Sequence, residues 1–203
     1  MNNNLSNVLT AIDEINSQDT NITVYNDESY PKELIYGQRM TACLQKYWPH
    51  ASELLQIAVR AQHIKRWHLK RTEFAQGKAG YYKWRIALGK FHAELTAKIM
   101  VENGYSEVEA EQTASIICKE NLKNKSDSQL NADSQTLEDV ACLVFLEHYF
   151  DEFSAKYLAE DNEAKIIRIV QLTWKKMSDE AHDIALKMAL PDHLAALVGK
   201  ALS

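Results

Sequence analysis

The chain has 203 residues, 46% of them hydrophobic, with 23 Lys and Arg against 28 Asp and Glu and a net charge of −5. That apolar content excludes a disordered chain, and six Gly with three Pro exclude a turn-rich β protein. The acidic balance excludes a non-specific nucleic-acid binder that is basic throughout, so any nucleic-acid contact must come from a local patch.

Cys43, Cys118 and Cys142 are far apart in sequence and include no CxxC pair. They form neither a disulfide framework nor a zinc knuckle and read as small buried hydrophobes. The opening MNNNLSNVLTAIDEIN lacks the basic and apolar regions of a secretory signal. No run approaches the ~18 apolar residues that cross a bilayer. A reducing, cytoplasmic setting is expected.

Leu5 to Ser17 is an amphipathic helix, with Leu5, Val8, Leu9, Ile12 and Ile15 at helical spacing. Gln18 to Tyr30 is polar and reads as a loop. Pro31 suits the first turn of a second helix, which runs to Trp48 before Pro49. Ser52 starts a third helix that ends near Trp67. His68 to Ala79 is a loop carrying Lys70, Arg71 and Lys78. Gly80 opens a helix of more than twenty residues closed by Asn103-Gly104, and Ser106 with Glu109 makes a capping box for the next, to Asn121. Lys123 to Asp133 reads as a polar loop. Ser134 caps a long helix with Leu143, Leu146, Phe150, Phe153 and Tyr157 inward. Three shorter helices follow, Glu163–Lys176, Ser178–Ala189 and Pro191–Leu202. No strand and no internal repeat is expected. The class is all-α, organised as one helical domain over 1–203: an N-terminal helix and loop (1–30), a core (31–160) and C-terminal helices (161–203).

The third helix is apolar on two sides, with His63 between Val59 and Trp67, which marks it as central. On the fourth, His92 shares a face with Tyr81, Trp84, Leu88, Leu95 and Ile99. Arg85 lies two turns earlier on that face, and Gly89 is expected to let another backbone approach. Each histidine has a plain alternative as a hydrogen-bonded core residue. Asp139 lies in line with Leu143 and Leu146 and is expected to point inward, although a first-turn carboxylate is also favoured by the helix dipole. Two imidazoles and a carboxylate make His63, His92 and Asp139 metal-ligand candidates, without the HxxxH spacing that ties ligands together. Arg39, Arg60, Arg66, Arg85 and Lys119 are cations near apolar faces of an acidic protein, and guanidinium forks suit phosphate. No Walker loop, GxGxxG or GxSxG occurs.

The runs RAQHIKRW, GYYKWR, FHAE, TLEDVACLVFLE and WKKMS resemble a bacterial and fungal family, the domain of unknown function 4202 family, over Tyr30 to Leu190. That resemblance implies a helical protein and brings no activity. More distantly, the order of elements resembles the HD phosphohydrolase superfamily, whose metal ligands are a His, a His-Asp pair, often further His residues and a late Asp. YGQRMTACL resembles its first motif, IAVRAQHIKRW the helix of the His-Asp pair, KFHAEL the helix of the first extra His, and LEDVACLVFL that of the late Asp. Here Tyr36 stands for the first His with Arg39 after it, Gln62-His63 for the pair, and Lys119 where a further His would be.

These features lead to an expectation: an Arg/His-lined cleft that binds a phosphorylated small molecule or nucleotide, with its hydrolysis as the further step. Arg39, Arg60, Gln62, Arg66, Arg85 and Lys119 would bind the ligand, and His63, His92 and Asp139 would carry acid–base or metal chemistry. Two cofactor readings stay open, none with cations in place of a metal, and a divalent metal. The alternative function is a non-enzymatic RNA- or protein-binding module, in which Trp67, Tyr81, Tyr82 and Trp84 beside Lys and Arg stack on unpaired bases. Ordinary core packing also explains those aromatics.

Overall fold

The computed structural model describes residues 3–123 and 129–202. Among these the chain is all-α, with ten α-helices and one small hairpin. The chain divides into two units, 1–137 and 138–203.

In the first unit, α1 (Asn4–Asn16) packs on α2 (Lys32–Tyr47), α3 (Glu53–Ala61) and α4 (Gly77–Glu102), and α5 (Glu107–Cys118) lies against α3 and α4. Leu55, Ile57, Ala58, Val59 and Ala61 of α3 are all buried, so the helix apolar on both sides is central. Gly37 permits the close approach of α2 to α3, because a Cβ there would lie 3.0 Å from the Arg60 carbonyl oxygen. Several ends follow the sequence signals. The Ser52 hydroxyl accepts from Leu55 N–H at 3.1 Å. Ser106 and Glu109 form the expected capping box. Gly104 follows the end of α4 with φ +91°.

Four expectations for this unit are corrected. Gln18–Tyr30 is not all loop: β1 (Ile22–Tyr25) pairs antiparallel with β2 (Glu28–Pro31). The two-residue turn Asn26-Asp27 has φ of +51° and +62°, the left-handed pair that matches hairpin twist and that Asn and Asp tolerate. The third helix stops at Ala61, before Gln62. The fourth begins at Gly77 rather than Gly80, after two 3-10 turns at Arg66–His68 and Arg71–Glu73. Gly80 is needed for another reason, since a Cβ there would fall 1.8 Å from the Ala75 carbonyl oxygen. Residues 129–133 of the expected polar loop are helical, because α6 (Gln129–His148) starts at Gln129 and holds Ser134 inside it. Residues 124–128 of that loop lie outside the described residues.

The second unit contains the rest of α6, then α7 (Phe150–Ala159), α8 (Glu163–Trp174), α9 (Asp179–Leu186) and α10 (Asp192–Leu202). The last three match the expected short helices. The expected single long helix is instead broken between α6 and α7 at Tyr149, where φ is −127° and ψ −14°, although neither Gly nor Pro marks the place. α8 packs on α7 and α10, and Phe150, Ile166, Val170, Leu194 and Leu197 are buried. No helix among the described residues is long and apolar enough to cross a membrane.

Candidate functional site

The site forms where α3 gives way to the Arg66–His68 turn. Lys65 takes the left-handed conformation, φ +50° and ψ +38°, which costs a non-glycine residue energy and needs support. The buried Asn16 at the end of α1 supplies it, its side-chain carbonyl accepting Lys65 N–H at 2.9 Å. This turn points Gln62, His63 and Arg66 towards α2 and α4.

Tyr36 of α2 stacks on His63 with ring centroids 4.2 Å apart and 14° between planes. Its hydroxyl donates to Gln62 Oε1 at 3.4 Å. Glu33, one turn before Tyr36, places Oε2 3.3 Å from His63 Nδ1. Arg66 Nη1 lies 2.8 Å from His63 Nε2 and 3.2 Å from Nδ1. Two distances so alike set the guanidinium against the ring rather than along one lone pair. His92 of α4 is 6.2 Å from His63 between centroids. Its Nδ1 meets the Ile64 carbonyl oxygen at 2.7 Å. A carbonyl only accepts, so Nδ1 carries the hydrogen and Nε2 keeps its lone pair.

Both imidazoles are held neutral. Burial pushes His63 well below the usual histidine range, and the cations Arg66, Arg85, Lys119 and Lys32 push the same way. Burial, then His63, bring His92 down to about 3. Glu33 is raised above the usual carboxylate range by its own burial, with Arg66, Lys32 and His92 pulling it back. The cluster is therefore a neutral imidazole pair with the Arg66 guanidinium against one ring and one buried carboxylate beside it.

The other expected residues go elsewhere. Arg60 donates through Nε to Asp13 Oδ1 at 2.6 Å, pairs with the second Asp13 oxygen through Nη2, and donates to Thr41 at 3.0 Å. It locks α1 to α2 and α3 instead of lining a cleft. Arg39 lies over the Tyr25 ring of the hairpin, 4.6 Å from its centroid. Arg85 is exposed and donates to Tyr81 Oη at 3.3 Å, whereas His92, on the same helical face, is 3% exposed. The difference arises because burial on α4 is concentrated in its second half: among residues 77–90 only Gly80 and Leu88 are buried. Gly89 admits no close backbone, for a Cβ there would meet nothing within 4 Å. Lys119 ends α5 in a left-handed conformation, φ +56°.

Asp139 points inward as expected, 2% exposed. It belongs to the second unit, and there its two oxygens accept Ser178 N–H at 2.8 Å and Ser178 O–H at 2.6 Å, fixing the start of α9. Glu138 beside it pairs with Lys176 at 3.4 Å. Among the described residues no three His, Cys, Asp or Glu side chains are grouped to hold a metal ion. A hollow of about 590 Å³ lined by Gln171, Trp174, Leu186 and Leu202 lies in the second unit and includes none of the expected site residues.

Glu33 is the residue that sequence reasoning missed. It follows Pro31 in a first helical turn, where a carboxylate is favoured by the dipole alone. Its spacing of three from Tyr36 puts it on the same face, and that was the available signal.

A family profile described as a domain of unknown function, DUF4202, matches residues 6–198. The chain belongs to the DUF4202 family. The match takes in every residue of the cluster and most of both helical units. No curated protein and no solved structure matches the chain. The DUF4202 assignment therefore carries a helical family without a chemistry, and the cluster itself must supply the functional argument.

Proposed function

We propose that the chain binds a phosphorylated small molecule or nucleotide at the Glu33–His63–Arg66–His92 cluster. The observation that carries this reading is the Arg66 guanidinium set against the neutral His63 ring, opposed by the single carboxylate of Glu33. Arg66 has no ion-pair partner among the described residues, so its planar fork is available to a phosphate. Because both imidazoles are neutral, the charge offered to an anion is guanidinium and ammonium.

Hydrolysis belongs to the same reading. A neutral His63 accepts the proton of a water attacking phosphorus, the phosphorus–oxygen bond to the leaving group breaks, and Glu33 beside Nδ1 steadies the imidazolium that forms. The chain departs from the HD phosphohydrolase pattern at Tyr36 and Gln62-His63 and keeps the first extra His at His92, so support for that step comes from the meeting of Glu33, His63 and His92 in one place. The cations take the part that metal charge plays in such enzymes. A cytoplasmic, reducing setting suits three cysteines of which none is in a disulfide.

Calorimetric titration with inorganic phosphate and with nucleoside mono- and triphosphates, in chelator, tests the reading. Binding is expected without metal, and Arg66→Ala is expected to weaken it at least tenfold while circular dichroism stays unchanged. Binding that chelator abolishes, or that Arg66→Ala leaves intact, would overturn it.

A further inference from the structure

The first half of α4 and the turns before it carry a feature that the cluster does not use. Residues 65–90 hold eight Lys and Arg and one Glu, in a chain whose remaining fifteen cations face twenty-seven carboxylates. Lys70, Lys78, Lys83, Arg85 and Lys90 are exposed, and none has a carboxylate within ion-pair distance among the described residues. Like charges set this close repel, so their retention on one short stretch calls for an external anion.

Aromatic rings run between them. Tyr81 is 41% exposed and Tyr82 53%, which ordinary core packing does not explain. Tyr81 lies 6.0 Å from Tyr82 and 5.9 Å from Trp84 between centroids. A cation accompanies each ring: Lys78 Nζ is 5.9 Å from Tyr82, Arg85 donates to Tyr81 Oη, and the Arg66 guanidinium is 5.4 Å from Trp84. The platform is braced from below. Trp84 Nε1 donates to the Leu69 carbonyl at 2.9 Å, and Arg71 donates to the carbonyls of Phe74 and Gly77 at 2.9 and 3.4 Å. Gly80 lets the loop backbone at Ala75 lie directly on the helix.

We propose that the first half of α4 binds single-stranded nucleic acid, with bases stacked on Tyr81 and Tyr82 and the phosphodiester backbone crossing from Lys78 and Arg85, on the tyrosine face, to Lys83 and Lys90, more than a third of a turn round the helix. Charge complementarity selects a polyanion. The exposed tyrosines between the cations select one with flat, unpaired bases over an acidic peptide or a duplex, whose bases are already stacked. Lys78 to Lys90 spans roughly 18 Å of helix at 1.5 Å per residue, which suits a short run of nucleotides. This surface meets the His63 cluster at Arg66, but Lys78, Tyr81, Tyr82, Lys83 and Lys90 belong to it alone, so it stands whether or not that cluster binds phosphate.

The test is fluorescence anisotropy of the full chain with labelled oligouridylate and oligothymidylate of equal length; the two probes tell RNA from DNA. Binding is expected at low salt, with log K falling on log salt at a slope of about −2 to −4, from roughly 0.7 per phosphate contact. Tyr81→Ala and Tyr82→Ala, both at exposed positions, are each expected to weaken binding about tenfold with the slope unchanged, and Tyr82→Phe to restore it. Lys78→Gln with Lys83→Gln is expected to flatten the slope by roughly 1.4. Absence of binding at low salt, equal affinity for heparin or for a polyglutamate peptide, or indifference to both tyrosine variants would overturn the proposal.

Discussion

His92 shows how a single buried ring ties stability to pH. Its folded pKa is about 3 against an ordinary 6.5. Above pH 6.5 the ring is neutral in both folded and unfolded chains. Below it, the unfolded chain takes a proton that the folded chain refuses, so stability falls with pH until about 3. Lowered His63 acts in the same direction. Raised Glu33 acts in the opposite one: its contribution is complete below its ordinary 4.5 and is lost as pH rises through the raised value. For His92 alone the loss on going from pH 7 to pH 5 is about 2 kcal/mol, at roughly 1.4 kcal/mol per unit below 6.5. Melting temperatures across that range are expected to drop in the native chain and to drop less in His92→Gln, which keeps an N–H for the Ile64 carbonyl. A proton NMR titration in which the His92 ring moves near pH 6.5 would contradict the neutral assignment.

At the scale of elements, the two glycines of α4 predict opposite outcomes from the same substitution. Gly80→Ala drives a methyl into the Ala75 carbonyl and is expected to destabilise by about 1–3 kcal/mol, as overpacking does. Gly89→Ala meets open space and is expected to stabilise by about 0.5–1 kcal/mol, the helical difference between the two residues. Urea unfolding of the two variants measures both. The same contrast explains what was legible in the sequence. Ends written by local chemistry were readable: Ser52, Ser106 with Glu109, and Asn103-Gly104 each sit within a few residues of the groups they satisfy. Ends written by distant residues were not. The turn that follows α3 is set by Asn16, from α1, which takes the Lys65 amide, and no glycine or proline announces it. The hairpin strands are four residues each, too short for an alternating pattern to stand out from a polar stretch. At the site, the imidazoles were legible as inward rings on apolar faces. The fate of Arg60 was not, because Asp13, its partner, lies forty-seven residues away.

For the whole molecule, the uneven placement of charge outweighs its total. A net charge of −5 would by itself keep copies apart. Eight cations in residues 65–90, with acidic residues dominating elsewhere, give each copy a basic stretch that another copy's acidic surface attracts. Attraction between such patches is strongest when the screening length is long, about 30 Å near 10 mM salt against about 10 Å near 100 mM. The solution should therefore behave as a patchy colloid and salt in. Its osmotic second virial coefficient by static light scattering is expected to rise with sodium chloride from about 10 to 100 mM. A uniformly charged −5 particle would show a fall, since screening could only weaken its repulsion. Concentrated low-salt stocks should turn cloudy and clear on adding salt. A charge-reversed Lys78→Glu, Lys83→Glu variant, whose overall charge is more negative, should stay clear throughout.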